Sequence, residues 1–280
     1  MIGKLLKVFY SHTRSLEMLY LIDGIKKAVR LDANYHESEK IKKFCHDQKL
    51  FLELSDFKVI KAPDAGKGGY ANIVKRLPIS HSEDGLYHLY ISRDKNIAKF
   101  LKILENKNDD RSVGELLGYP KCCIDFFMKN RERQQKIQND YILPTLENSN
   151  GFKFPFYTNY AMRYFDITLL SHFPHDFNCK ESIAIAKKNL ECIKKFDKTL
   201  AGNFENMLRN AILYTENEGV FVFKNYRLEN NILEYNEILP TEKNELFKLL
   251  NQNEKIEIIS KNKIKTGNKI LDNAGFMVFT

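Results

Sequence analysis

Two adjacent thiols, Cys122 and Cys123, stand in the stretch Ser112 to Phe127, which reads Ser-Val-Gly-Glu-Leu-Leu-Gly-Tyr-Pro-Lys-Cys-Cys-Ile-Asp-Phe-Phe. Farther along, the run His172-Phe173-Pro174-His175-Asp176-Phe177-Asn178-Cys179 adds two imidazoles and a third thiol. Zinc and ferrous iron both accept thiolate and imidazole. His172, His175, Cys179 and one of Cys122/Cys123 are therefore candidate ligands for one zinc or iron ion. Vicinal cysteines seldom serve one ion with good geometry, so the expectation is one ligand and one neighbour. Three protein ligands leave a position open for water or substrate, whereas four close the site. A thiol version needs no metal: a Cys–His nucleophile pair oriented by Asn159, Asp166 or Asp176. In the plainest version the cysteines are small buried hydrophobes and the histidines cap helices. The spacing lacks the paired C-x-x-C knuckles of zinc ribbons, and His-x-x-His alone recurs by chance.

The elements that must aim these side chains can be read around them. Ser112 and Glu115 have capping-box spacing, which predicts a short helix starting at Ser112. Gly118 can close that helix in the left-handed region, and Pro120 can open the next at its first turn. The two thiols then lie in a first helical turn, where backbone N–H groups and the dipole favour thiolate. Cys123 precedes Phe126 and Phe127 by three and four positions and leans inward, with Cys122 turned away by about one hundred degrees. Downstream, Asn178 suits the cap of a long helix from Cys179 to Phe196, whose inward stripe is Ile183, Ala186, Leu190 and Ile193. Residues Asn159 to Ser171 also carry a helical pattern. Tyr119, Asn159 and Arg163 are candidates for orienting a substrate, and Arg163 would suit a small anionic one bearing carboxylate or phosphate. Cys45 reads as a small core residue rather than a ligand, and Cys192, away from the inward stripe, as incidental.

The remaining chain supplies the frame. Helical periodicity runs from about Leu5 to Val29 and from Glu37 to Gln48. Strands are expected at Phe57 to Ile60, Tyr70 to Leu77 and Leu86 to Ser92, and Asp94 caps a helix through Leu104. The loop Pro63 to Gly69 is rich in glycine but has neither P-loop nor G-x-G-x-x-G spacing, so it reads as a strand connection. Lys67, Lys75 and Arg76 around it can still hold an anionic substrate. His88 alternates with Tyr87 and Leu89 and reads as a surface or satisfied core histidine. Beyond Phe196, strands at Val220 to Tyr226 and Ile232 to Ile238 suggest a meander. A helix from Thr241 to Leu250 and strands at Lys255 to Ser260 and Phe276 to Thr280 follow. The fold class is α+β, with a central helical segment (93–200) between a mixed N-terminal part (1–92) and a C-terminal antiparallel meander (201–280), together one compact unit.

At 280 residues with 43% hydrophobic and 29% charged residues, the chain has the make-up of a soluble globular protein. No run approaches the roughly 18 apolar residues of a membrane span. The start carries a lysine inside its apolar run and no small-residue cleavage site, which argues against a secretory signal. Five cysteines, an odd number, do not make a disulfide framework, so reduced thiols in a cytoplasm are expected. The net charge of +8 is spread rather than clustered. Nucleic-acid binding therefore stands as the alternative, in a metal- or thiol-stapled binding or interaction module without catalysis.

Leu117-Gly118-Tyr119-Pro120-Lys121-Cys122-Cys123-Ile124-Asp125-Phe126-Phe127 resembles an uncharacterised family known from methanogenic archaea, domain of unknown function 483. Asn159, Arg163, the run Leu170 to Pro174, Cys179 and Ser182 extend the resemblance over about residues 86 to 197. Relatives often carry Cys after the His-x-Pro step where this chain has His175. A His can replace a Cys as a metal ligand; the change speaks against an all-thiolate or iron–sulfur site, and the family name implies no particular reaction. From the residues, the leading expectation is a cytoplasmic zinc- or iron-binding protein, an enzyme of unassigned reaction.

Overall fold

In the computed structural model, the described residues are 1–61, 66–67, 73–135, 140–272 and 274–280. Most of the loop 63–69 and the start of the strand expected from Tyr70 lie outside them. The fold is α+β, built from helices and mostly antiparallel sheets. It divides into two units that are each discontinuous along the chain. One contains residues 1–62, 72–139 and 188–198, and the other 63–71, 140–187 and 199–280.

The first unit is centred on a sheet with strand order Ala28–Ala33, Leu86–Ser92, Phe51–Lys61, Ile73–Pro78, all antiparallel. Consecutive residues His88 to Ser92 are all buried, as befits a strand covered on both faces. The helices His12–Asp23, Tyr35–Asp47 and Lys95–Asn106 supply the cover. Their starts follow their caps. Asn34 and Glu37 form a capping box that begins the second helix ahead of the expected Glu37. Asp94 accepts the Asn96 amide at 2.7 Å. The expected helix from Leu5 to Val29 is broken at Tyr10 and Gly24, both left-handed, and Val29 lies in a strand.

The Ser112 cap is corrected. The helix is Asp110–Leu116, and Asp109 caps it by accepting the Ser112 amide at 3.1 Å. A carboxylate one turn earlier outcompetes the serine. Gly118, at φ +80°, ends the turn, with the Tyr119 amide bonded to the Gly114 carbonyl. A Cβ on Gly114 would meet the Ile124 side chain at 3.0 Å. This glycine therefore lets the next helix, Lys121–Gln135, approach closely.

The second unit holds two sheets. One has the order Glu237–Pro240, Val220–Lys224, Ala211–Tyr214, Gly275–Phe279, Lys153–Phe154; the other is the meander Lys269–Asp272, Lys263–Thr266, Lys255–Ser260, Ile232–Glu234, Arg227–Glu229. A shared core of Leu213, Phe221, Phe223, Leu250, Ile256, Ile264 and Phe276 joins them. The helical expectation for Asn159 to Ser171 is also corrected, since only a 3-10 segment Tyr160–Phe165 forms, ended by Asp166 at φ 58°. Tyr160 through Tyr164 are all buried. No solvent face remains for an amphipathic helix, and a short 3-10 turn suits burial all round.

Candidate metal centre

Three of the candidate thiols sit where helices begin. Cys122 and Cys123 occupy the first turn of Lys121–Gln135, with the Cys123 and Ile124 amides bonded to the Pro120 carbonyl. Cys123 is 2% exposed and Cys122 is half-buried. Cys179, rather than the expected Asn178, takes the cap of the helix Lys180–Phe196. Its carbonyl accepts from Ile183, and its Sγ lies 3.5 Å from the Ser182 amide. Each position offers N–H groups and the positive end of a helix dipole to a thiolate. None of the five cysteines is disulfide-bonded.

The turn that carries His175 is fixed by hydrogen bonds from the helix Ile142–Asn148 and its cap. Thr145 Oγ1 donates to the Pro174 carbonyl at 2.7 Å and Asn148 Nδ2 to the His175 carbonyl at 2.8 Å. Ser149 Oγ accepts the Phe177 amide at 2.9 Å. Thr158 donates to the Phe177 carbonyl, and the Cys179 amide closes on the Asp176 carbonyl. With so many backbone groups engaged, the turn holds its side chains in place without help from a ligand. These supporting residues escape a ligand search, because their only signal is polar side chains at helical spacing on a short helix.

The ligand atoms of Cys122, Cys123, His175 and Cys179 all lie within 4.8 Å of one another, a group able to hold a metal ion. The two adjacent sulfurs are 4.0 Å apart. A tetrahedral ion with Zn–S bonds of about 2.3 Å spaces its sulfurs about 3.8 Å apart. The separation of the vicinal sulfurs is close to that spacing, and the group contains both of them where one ligand and one neighbour were expected. The separation arises because the 3.6-residue period swings successive side chains around the axis while the helix start leaves both on its open end. His172 is not in the group; its Nε2 lies 2.9 Å from Ser182 Oγ, and the residue is buried. Glu181 Oε2 lies 3.5 Å from Cys179 Sγ. Its carboxyl is held below the usual range, first by its own backbone amide and then by the Cys179 thiol.

The candidates for substrate orientation occupy separate settings. Asn159 is 1% exposed and donates from Nδ2 to the Leu208 carbonyl at 2.7 Å. The Arg163 guanidinium lies 4.6, 5.9 and 5.0 Å from the ring centres of Tyr160, Tyr164 and Phe173. Tyr119 is half-buried beneath the Lys26 ammonium, 6.0 Å from its ring. Lys67 does not offer itself to an anion. Its Nζ is buried against the Tyr214 hydroxyl at 2.8 Å and Asp140 at 3.4 Å. Asp140 also accepts from Tyr214 at 2.7 Å and from the Tyr164 hydroxyl.

Cys45, expected in the core, and Cys192, expected away from the inward stripe, are both buried. Cys192 sits 3.6 Å from Asp23 Oδ2, an acceptor its surrounding sequence did not signal. Burial pushes the Cys45 and Cys192 thiols up to about 12, Asp23 adding to the effect at Cys192. No helix among the described residues is long and apolar enough to cross a membrane.

Residues 88–209 match a family model described as "Protein of unknown function (DUF483)". Neither a curated protein nor a solved structure matches the chain.

Proposed function

We propose that the chain, whose residues 88–209 match the DUF483 family model, a description that assigns no activity, is a metal-binding protein with one zinc ion held by Cys122, Cys123, His175 and Cys179. The observation that carries this reading is the mutual closeness of the four ligand atoms, 4.8 Å at most. Side-chain rotations of under about one ångström bring such a set to tetrahedral zinc geometry. A polynuclear iron–sulfur cluster interposes sulfide between its irons and needs ligands spread more widely. A closed set of three thiolates and one imidazole is the kind that orders a protein rather than activating water, and it suits zinc over the harder ions. A catalytic role would require one ligand to give way. Cys122, the more exposed of the vicinal pair, is the residue for that part.

Metal analysis of the full chain, purified reduced and without chelator, tests the reading. About one zinc per chain is expected, with the content falling at least severalfold in Cys179→Ala and His175→Ala. His172→Ala should keep its metal, because that imidazole bonds Ser182. Iron at the same stoichiometry would retain the ligand set and replace the ion. Metal at background in the wild type, with Cys179→Ala equally stable, would reject the site.

A further inference from the structure

A second constellation lies on one face of the sheet in the first unit. Directly opposed residues of an antiparallel pair project to the same side. The register Arg30↔Tyr90 and Asp32↔His88 therefore places these four together, under the helix Lys95–Asn106. Glu105, near the end of that helix, is 1% exposed and meets them from above. Arg30 Nη1 donates to both of its carboxylate oxygens, at 3.2 and 3.0 Å. Arg76 donates to Glu105 Oε1 at 2.5 Å, to the Glu105 carbonyl at 2.8 Å and to Asn108 Oδ1 at 2.6 Å, with its plane 4.5 Å from the Phe57 ring centre.

Counting donors shows what is left over. A guanidinium carries five N–H groups. Within the described residues Arg30 engages only Nη1, so Nη2 and Nε remain, and Arg76 keeps Nε. The two side chains are 32% and 31% exposed, so their outer edges reach solvent. Beside them both ring nitrogens of His88 and the hydroxyl of Tyr90 are buried and have no hydrogen-bond partner among the described residues. His88 Nδ1 is 3.8 Å from Glu105 Oε1, too far for a bond, and the His88 and Tyr90 ring centres are 6.2 Å apart. Orphaned polar groups this deep are rare in native proteins. The phenol of Tyr119, from the Gly-Tyr-Pro-x-Cys-Cys stretch, is among the groups acting on the Arg30 guanidinium.

We propose that this face binds a phosphate-class oxyanion, as the ion or as a monoester, between Arg30 and Arg76 with Tyr90 and His88 as neutral donors. Glu105 fixes both forks, which removes the ordering cost that two flexible arginines would otherwise bring. Arg30 Nη2 and Nε, Arg76 Nε, Tyr90 and one His88 N–H exceed what the two oxygens of a carboxylate take in one plane. Their number suits the several acceptor oxygens of a phosphate. Glu105 and Asp32 balance the two guanidiniums in charge, so affinity arises from directed hydrogen bonds and selectivity over chloride is the signature. The metal centre plays no part in this inference.

The test is an NMR titration of the His88 imidazole in the full chain with inorganic phosphate, the signal assigned through His88→Gln. The His88 resonances are expected to shift saturably with phosphate and to stay put in chloride or acetate of equal ionic strength. Arg30→Gln should raise the phosphate dissociation constant at least tenfold. Arg76→Lys, which keeps charge but loses the fork, should raise it severalfold and guards against a first variant that does not fold. Glycerol phosphate binding tighter than the inorganic ion assigns the ligand as an ester, the reverse assigns the ion, and either supports the site. Resonances that ignore phosphate, follow acetate equally, or titrate alike in wild type and Arg30→Gln overturn it.

Discussion

The Cys/His group and the Glu105 centre are opposite kinds of cluster, one of lone-pair atoms and one of N–H donors. Cys122, Cys123, His175 and Cys179 bring four potential ligand atoms within 4.8 Å of one another, a group that could hold a metal ion. The Glu105 centre gathers two guanidiniums, a phenol and an imidazole around one buried carboxylate, leaving N–H groups over. Asp140 shows what completion looks like. Its Oδ2 takes Lys67, Tyr164 and Tyr214, and its Oδ1 takes the Ile142 amide at 3.0 Å. Counting donors against acceptors, rather than counting charges, separates the closed pin at Asp140 from the Glu105 centre, which among the described residues keeps N–H groups over.

The comparison can be broken most forcefully at Glu105. Glu105→Gln strands two guanidiniums against a neutral amide, and breaking a buried pair in this way costs about 3–5 kcal/mol. Asp140→Asn should cost about as much by denaturant unfolding. Added phosphate should recover part of the loss only at Glu105, where donors face solvent. Recovery at both positions, or at neither, would erase the distinction between them.

A pH series sharpens the same contrast with a somewhat smaller effect. Burial first, and then Arg30, lower the His88 imidazole to about 4. The unfolded chain protonates His88 near pH 6.5, while the folded chain resists until about pH 4. The folded state is thus at full strength above that window and loses up to about 3 kcal/mol as pH falls through it. Glu105, held below its ordinary range by Arg30, His88 and Arg76 against the opposing pull of burial, adds a further loss at still lower pH. His88→Gln should flatten the slope between pH 6.5 and 4 and leave the more acidic part. A wild-type stability that is level across that window would contradict the burial of a neutral imidazole.

The smallest effects belong to the thiols outside the Cys/His group. Cys45 stays protonated at pH 8 because burial holds its thiol near 12, so an alkylating reagent should modify it only on unfolding. Cys45→Ala should shift unfolding by about 1 kcal/mol. Rapid native-state labelling of Cys45 would show that its pocket opens.

The legible part of this molecule was written in local chemistry. Gly118 and Pro120 announced the break before the two thiols, Asp94 announced its helix, and the run Leu86 to Ser92 read as the strand it is. That His175 rather than His172 joins the three thiols was not legible, since the two lie on either side of Pro174 in one run. It is decided by Ser182, which lies one helical turn into the next element and bonds His172. Spacing also suggested that vicinal thiols would diverge, and only the helix start shows their sulfurs 4.0 Å apart. His88 read as an ordinary strand histidine because its neighbours there, Arg30, Arg76 and Glu105, come from three distant segments. Such convergence depends on register, which composition and periodicity do not carry.

Cobalt substitution tests the metal centre most directly. Adding cobalt(II) to the reduced, metal-depleted chain should give one equivalent bound, with the intense visible bands of a tetrahedral ion and near-ultraviolet sulfur-to-metal charge transfer of three-thiolate strength. Cys122→Ser, Cys123→Ser and Cys179→Ser should each cut that charge transfer by about one third. Weak bands of an octahedral ion, or a spectrum indifferent to all three substitutions, would contradict the assignment.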